Sequence, residues 1–198
     1  MLEFNAEKHE YTKDGILKPC PSNFIAPYRN FSKINKQVLA DKQIFGKTVH
    51  DYTVAYDLGL LDMDNLPVDE TGTTDIWAIM QSWIKFQAEL DKSKFTVVEI
   101  KTSQPHKATE VQLAFYVQLA LENPEEAYNW IDHEPGLYSK KFQFAGMPDR
   151  VYGKPIGEPI ILAWHVNEMG KDKVVYYDYC KGWNQAMCLM SNFNYFKE

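Results

Sequence analysis

The chain has 198 residues, of which 45% are hydrophobic and 14% aromatic, so it can bury one sizeable core, and we expect a single domain over residues 1–198. Its formal charge of −6 does not by itself favour nucleic-acid binding, although carboxylates gathered around a metal ion can make a nucleic-acid enzyme acidic overall. There is no long apolar run or secretory leader, and the three cysteines are dispersed. We therefore expect a cytoplasmic protein with no membrane segment, no disulfide framework and no four-cysteine iron–sulfur cluster.

The first segment, residues 1–20, is predicted to form a β-hairpin. Its turn is placed at Asp14-Gly15, a dipeptide that suits the tight turns between antiparallel strands. Several prolines follow and are expected to keep the chain irregular until the main core begins.

The main core is expected over residues 43–196 and begins with a helix from about Gln43 to Leu58, where apolar residues recur at helical spacing. His50 lies just off this apolar stripe, one turn after Gly46. A histidine beside an apolar face is more often a core residue than a ligand, so composition alone leaves its role open.

A polar loop over residues 62–74 precedes a second predicted helix from Asp75 to Leu90. We expect its two tryptophans, Trp77 and Trp83, to lie in the core or in the wall of a cleft.

The residues from Phe95 to Leu119 combine a β-branched strand with a strongly apolar helix. Residues two apart in a strand project to the same face, so Glu99 and Lys101 should emerge together. The common interpretation of such a pair is an ion pair worth less than about 1 kcal/mol. The alternative is chemical, because a carboxylate can hold a divalent cation while an ammonium offsets charge on a phosphate.

Two polar residues interrupt the apolar helix after this strand. Gln112 and Tyr116 are four apart and therefore share one face. Buried polar groups need hydrogen-bond partners, so the pair either is satisfied locally or lines a cleft beside the carboxylates.

A second strand is predicted over residues 141–152, within a hairpin from about Ile131 to Tyr152. The strand is interrupted at Gly146-Met-Pro-Asp149, and glycine and proline in a strand mark a bulge or an edge. An acid held at such a kink is a good ligand candidate, and Asp149 with Glu99 would supply the two carboxylates that a Mg²⁺ or Mn²⁺ site needs.

The rest of the chain predicts two strands, residues 159–167 and 173–179, followed by a helix over residues 182–196. His165 lies among bulky strand residues and is interpreted as structural.

Four short motifs resemble those of the PD-(D/E)xK nuclease superfamily, in particular its RecB-like and phage exonuclease branch. They are Gly46-Lys-Thr-Val-His50, Glu99-Ile-Lys101-Thr102, Gln112-Leu-Ala-Phe-Tyr116 and Gly146-Met-Pro-Asp149. The opening of the chain is also similar to the N-terminal hairpin of phage-type members. The resemblance implies an α/β (α+β) fold: a mixed central sheet flanked by helices, with a restriction-endonuclease-like core.

The resemblance further implies a Mg²⁺- or Mn²⁺-dependent deoxyribonuclease that acts as an exonuclease in DNA recombination, repair or phage replication. Its partners would be DNA and phage or host recombination proteins, in a bacterial or phage-infected cell. The implied metal ligands are Asp149, Glu99, the Ile100 carbonyl, His50 and, as an outer ligand, Glu134. The implied catalytic residues are Lys101, Glu99, Asp149 and His50, and the implied substrate contacts are Gln112, Tyr116, Thr102 and Arg150.

The order of two motifs departs from the family, because Asp149 follows Lys101 in the chain instead of preceding it. We interpret this as a permuted strand order, since a sheet is assembled by pairing in space. One alternative is a catalytically inactive module that keeps the nuclease fold for binding DNA or protein. The other is an unrelated α/β domain, in which Glu99 and Asp149 would lie far apart.

Overall fold

The computed structural model describes residues 1–28, 34–67, 73–131 and 136–195, with side chains described as far as residue 192. Within these ranges the chain has a mixed α/β architecture, in which a four-stranded sheet lies between two groups of helices. None of the helices in the described ranges has the length and apolar character needed to cross a membrane.

The secondary structure elements are numbered in chain order. The strands are β1 Leu2–Asn5, β2 Glu10–Lys13, β3 Ile16–Lys18, β4 Thr96–Lys101, β5 Leu137–Ser139, β6 Phe144–Gly146, β7 Arg150–Tyr152, β8 Ile160–Val166 and β9 Asp172–Tyr177. The α-helices are α1 Pro21–Ile25, α2 Lys36–Asp57, α3 Ile76–Glu89, α4 Lys107–Glu122, α5 Pro124–Ala127 and α6 Tyr179–Tyr195.

The central sheet has the strand order β7-β4-β8-β9. Strand β4 is antiparallel to β7 and parallel to β8, and β8 is antiparallel to β9. A parallel pair requires a crossover connection, and α4 lies in the segment that makes it. Strand β7 comes after α4 in the chain yet pairs beside β4, so the end of β4 is flanked by two segments from distant parts of the sequence.

The two faces of β4 carry different side chains, because successive residues of a strand point to opposite sides. Val98 and Ile100 face a core formed with α2 and α3, in which Trp83 is fully buried. Val97 faces a second core formed with α1, α4 and α6. Helix α4 is buried along most of its length, which explains why its sequence is apolar nearly all round.

The N-terminal segment forms a three-stranded antiparallel sheet, β1-β2-β3. The predicted turn is confirmed, since Asp14 and Gly15 adopt φ values of +53° and +76° between β2 and β3. These two positive φ angles are what a tight primed turn requires. The prediction of a single hairpin was incomplete, because β1 adds a further strand along β2.

Helix α2 starts at Lys36, earlier than predicted, because the Asn35 side chain accepts a hydrogen bond from the Gln37 N–H at 2.8 Å and caps the helix. Helix α3 follows the prediction to within a residue at each end. The expectation for Trp77 was wrong, since this side chain is 59% exposed. It lies on the solvent-facing side of α3, away from the apolar residues that recur at helical spacing and face the core.

The strand predicted over residues 141–152 is two separate strands. Strand β6 pairs with β5 in a small sheet of its own, whereas β7 joins the central sheet. The Gly146–Asp149 segment crosses between the two sheets. Pro148 has no N–H to donate to a ladder, which is why continuous pairing stops there. The last two strands, β8 and β9, lie where they were predicted, and α6 starts three residues early.

Candidate active site at the end of strand β4

Asp149 lies where the pairing between β4 and β7 ends. The last paired residues are Val98 and Arg150, and extending this antiparallel register by one residue places Asp149 opposite Glu99. The Asp149 Oδ2 atom accepts a hydrogen bond from the Ile100 N–H at 2.5 Å. The Asp149 carboxylate thus accepts the hydrogen bond that a backbone carbonyl of a paired strand would otherwise accept. This bond holds the carboxylate against the strand that carries Glu99.

Glu99, Lys101 and Gln112 form a hydrogen-bonded cluster on the α4 side of the sheet. Lys101 Nζ donates to Glu99 Oε1 at 2.6 Å and to Gln112 Oε1 at 3.2 Å. Gln112 Nε2 donates to Glu99 Oε1 and to the Tyr116 hydroxyl oxygen, both at 2.9 Å. Of the two alternatives for this helical pair, both hold in part: Tyr116 accepts a hydrogen bond from Gln112 within the helix, and Gln112 bonds to Glu99 and Lys101.

One carboxylate oxygen of Glu99 takes no part in these hydrogen bonds. Both amine and amide bond to Oε1, while Oε2 is buried and has no hydrogen-bond partner among the described residues. A buried carboxylate oxygen without a donor is unusual and unfavourable. A cation or a donor from a ligand would satisfy it.

His50 reaches the site from the other side of the sheet edge. Its Nδ1 lies 3.2 Å from Asp149 Oδ1, and its side chain is 30% exposed. Helix α2 comes this close because Gly46 has no side chain: a Cβ there would lie 3.2 Å from Thr102 Oγ1. Thr102, predicted to contact substrate, is half-buried at this contact between α2 and the end of β4.

Arg150 does not reach the surface, so its predicted contact with substrate is wrong. The side chain is fully buried, and its Nε donates to Asp57 Oδ2 at 2.6 Å. Asp57 Oδ1 accepts a second bond from Trp83 Nε1 at 3.0 Å. Another guanidinium N–H donates to the Asp149 backbone carbonyl at 2.6 Å, so Arg150 helps to hold the backbone of Asp149 in place. Sequence spacing carries no signal for this pairing between a helix end and a strand.

The charges of His50 and Asp149 stabilise one another. Burial acts to lower the pKa of His50, but the charge and hydrogen bond of Asp149 outweigh it and raise the pKa from 6.5 to about 8. Burial acts to raise the pKa of Asp149, but the charge and hydrogen bond of His50 and the Ile100 N–H lower it overall. The pair is therefore an imidazolium–carboxylate pair at neutral pH.

The pKa of Glu99 is raised, whereas that of Asp149 is lowered. Burial, followed by the negative charge of Asp149, raises the pKa of Glu99 from 4.5 to about 7, although Lys101 acts against the shift. Burial and the Glu99 charge also raise the pKa of the Tyr116 phenol well above its ordinary value. Without a cation, two neighbouring carboxylates share this site at an electrostatic disadvantage.

The donor set fits a hard divalent cation that keeps part of its own hydration. The described residues contain no group of three or more His, Cys, Asp and Glu side chains arranged to hold a metal ion. Mg²⁺ is commonly bound by one or two carboxylates together with water and substrate phosphate. Asp149 and Glu99 Oε2 would supply the carboxylates. The Ile100 carbonyl is directed to the same side of β4 as its N–H, towards Asp149, because both groups of one strand residue point the same way.

Glu134, predicted as an outer metal ligand, lies outside the described residues. His106 caps α4, since its Nδ1 accepts a hydrogen bond from the Ala108 N–H at 3.0 Å. It therefore helps to set where the helix carrying Gln112 begins.

No protein-family model matches the chain, and no curated protein or solved structure matches it. The nuclease interpretation therefore depends on the motifs and on the geometry of this chain alone.

Proposed function

We propose that the protein is a Mg²⁺- or Mn²⁺-dependent deoxyribonuclease that hydrolyses phosphodiester bonds, acting as an exonuclease. The observation that carries the proposal is the convergence of Asp149, Glu99 and Lys101 at the end of strand β4. The Asp149 carboxylate accepts a hydrogen bond from the N–H of Ile100, the residue between the other two. Lys101 donates a hydrogen bond to Glu99. An unrelated domain with accidental motifs gives no reason for these three side chains to meet.

The chemistry assigned to each residue follows from its position. When bound, the divalent cation neutralises charge on the scissile phosphate and acidifies the attacking water. Asp149, Glu99 and the Ile100 carbonyl are the proposed ligands. Lys101, whose side chain is 17% exposed, lies beside Glu99 and would offset negative charge that develops on the phosphate.

His50, Gln112 and Tyr116 have supporting roles. His50 is held charged by Asp149 and partly exposed, so its ring is suited to donate to a phosphate oxygen or to adjust the charge of the ligand set. Gln112 bonds to both Glu99 and Lys101 and fixes their relative position, and Tyr116 orients Gln112.

The strand arrangement supports a permuted PD-(D/E)xK core. The strand bearing Glu99 and Lys101 is followed by the helix bearing Gln112 and then by a parallel strand, β8. Strand β7, which Asp149 directly precedes, docks antiparallel on the opposite edge of β4 although it comes later in the chain. Because a sheet is assembled by pairing in space, the motif that ends at Asp149 can lie beside the Glu99 strand although it follows that strand in the chain.

The test is incubation of linear DNA with purified protein, with and without Mn²⁺, and with three variants. Lys101→Ala and Glu99→Gln should each lower the rate of cleavage by about 100-fold or more, since each removes a group acting on the transition state. Lys154→Ala, which removes an exposed lysine outside the site, is the matched control and should cleave as the wild type does. End-labelled and internally labelled substrates separate exonuclease from endonuclease products.

Full activity of folded Lys101→Ala would refute the assignment. Absence of metal-dependent cleavage by the wild type on single-stranded and duplex DNA would refute the function.

A second candidate, a catalytically inactive nuclease-fold module, is favoured by one observation: Glu99 and Lys101 neutralise each other through a 2.6 Å bond, so the site is partly satisfied without metal. Calorimetric titration with Mn²⁺ distinguishes the two. The enzyme should bind the cation with an affinity that Glu99→Gln reduces by tenfold or more, whereas the module should show no heat of specific binding.

A further inference from the structure

A groove of about 620 Å³ opens at the carboxyl ends of the parallel strands β4 and β8. Thr102 and Ser103, the residues directly after Lys101, form one wall, and Lys171 and Lys173 at the turn between β8 and β9 line the other. In open sheets, ligands commonly bind where parallel strands end. The groove therefore lies next to the candidate active site, since Thr102 directly follows Lys101 in the chain.

Two lysines and a histidine form a row across this edge. Lys101 is paired in register with His165 of β8, and His165 is paired with Lys173 of β9. Residues paired on neighbouring strands project to the same face, and strands lie about 4.8 Å apart. The row therefore extends about 10 Å from the proposed catalytic amine towards the open edge of the sheet.

His165 presents an unused polar atom at the groove. The residue is only 6% exposed, and its Nδ1 lies 2.7 Å from the Ser103 carbonyl oxygen. Because a carbonyl oxygen only accepts, Nδ1 carries the proton and Nε2 of the neutral ring keeps a lone pair. Nε2 is buried with no hydrogen-bond partner in the described part of the chain, so an N–H or O–H group of a ligand would complete it.

The charges of the groove favour an anion. Of its two carboxylates, Glu168 forms a salt bridge with Lys42 and Asp172 accepts a hydrogen bond from Trp164 Nε1 at 3.0 Å. Lys171 and Lys173 are exposed and form no salt bridge with another described residue. The lining thus has three lysines against two carboxylates, in a chain whose formal charge is −6, and Lys171 and Lys173 are available to contact an anion.

Helix α2 joins the groove to the carboxylates. Lys42 lines the groove, Gly46 touches Thr102 and His50 bonds to Asp149, and these residues follow one another at four-residue spacing on one side of the helix. Eight residues of helix span about 12 Å. The axial rise of B-form DNA is about 3.4 Å per nucleotide and successive phosphates lie further apart than that, so Lys42 lies within about three to four nucleotides of the scissile position.

We propose that this groove binds the phosphodiester backbone of the DNA strand beyond the scissile phosphate. Lys171 and Lys173 contact phosphates, and His165 Nε2 accepts a hydrogen bond from a base N–H group of the same strand. This assignment rests on the proposed nuclease function and adds the path that its substrate follows. Sequence reasoning did not find it, because the pairing of His165 with Lys173 depends on the register between β8 and β9.

The test measures binding of a fluorescent 12-nucleotide single strand by anisotropy in EDTA, so that no cleavage occurs. Lys171→Ala/Lys173→Ala should weaken binding by about tenfold or more and make the slope of log K against log salt shallower by about 1.4, the change expected for two contacts to a single strand. The control Lys140→Ala/Lys154→Ala removes the same charge from exposed positions outside the groove and should bind as the wild type does.

A second variant shifts affinity in the opposite direction and so guards against a loss of folding. Glu168→Gln releases Lys42 and removes a negative charge from the groove, and it should strengthen binding severalfold. Its control, Glu158→Gln, changes an exposed acid outside the groove and should have little effect. The length of the strand gives a third readout: wild-type affinity should rise between about four and about eight nucleotides, and the double lysine variant should lose this rise.

Equal affinity and salt slope in the groove and control variants would overturn the groove assignment even if the protein cleaves DNA. Equally effective competition by polyglutamate of the same charge would overturn nucleic acid as its ligand. Groove-dependent binding in a protein that hydrolyses no DNA with Mn²⁺ would support the groove and refute the catalytic proposal, so the two failures are distinguishable.

Discussion

The pair formed by His50 and Asp149 makes a quantitative prediction about the metal-free site. Asp149→Asn removes the charge that holds the pKa of His50 at about 8, while the burial that lowers this pKa remains. We expect the pKa of His50 to fall to 6.5 or below, a change of at least about 1.5 units, which corresponds to about 2 kcal/mol of interaction between the two protonation states.

The assay is NMR titration of the histidine ring protons in EDTA, with the His50 signal assigned from its loss in His50→Gln. The control is Asp51→Asn, which removes a charge from the same helix where the acid pairs with Lys47 instead. It should shift the pKa of His50 far less. A wild-type value near 6.5, or a value near 8 that Asp149→Asn leaves unchanged, would refute the geometry from which the prediction is derived.

The same pair contributes to stability with a defined sign. Because the folded-state pKa of His50 is raised above its ordinary value, the pair stabilises the fold fully below about pH 6.5. This contribution is lost as the pH rises through 8. In urea unfolding without metal, the wild type should therefore lose more stability between pH 6 and pH 9 than Asp149→Asn does.

Further predictions concern the buried ion pair, the metal and the phenol. Asp57→Ala leaves the Arg150 guanidinium uncompensated and should lower the free energy of unfolding in urea by about 3–5 kcal/mol, whereas Asp51→Ala, at an exposed pair, should change it by less than about 1 kcal/mol; equal effects would contradict the burial. Mn²⁺ should raise the melting temperature more at pH 8 than at pH 5.5 in scanning fluorimetry, because the Glu99 carboxyl, with a pKa of about 7, must lose its proton to bind the cation; an equal rise at both pH values would count against Glu99 as a ligand. Tyr116→Phe removes one buried hydrogen bond and should lower the free energy of unfolding by about 1 kcal/mol and slow cleavage less than Lys101→Ala does; a loss as large as that of Lys101→Ala would assign the phenol a catalytic role.

Local patterns identified much of the candidate site before its geometry was known. Strand alternation placed Glu99 and Lys101 on one face, and helical spacing placed Gln112 and Tyr116 on one face of the helix that follows. These predictions succeeded because each depends on a period of the backbone, which neighbouring residues determine. The turn at Asp14-Gly15 was predictable for the same reason, since its φ angles depend only on the residues that adopt them.

Only the tertiary structure decided how distant segments meet. The sequence marked Asp149 as an acid at a kink, but its bond to the Ile100 N–H exists because β7 docks beside β4 after the intervening helix. The burial of Arg150 against Asp57 and the basic row from Lys101 to Lys173 likewise depend on strand order and register. Local sequence specifies which face of an element a side chain occupies, whereas the neighbours across that face are set by packing between elements, which no short-range period encodes.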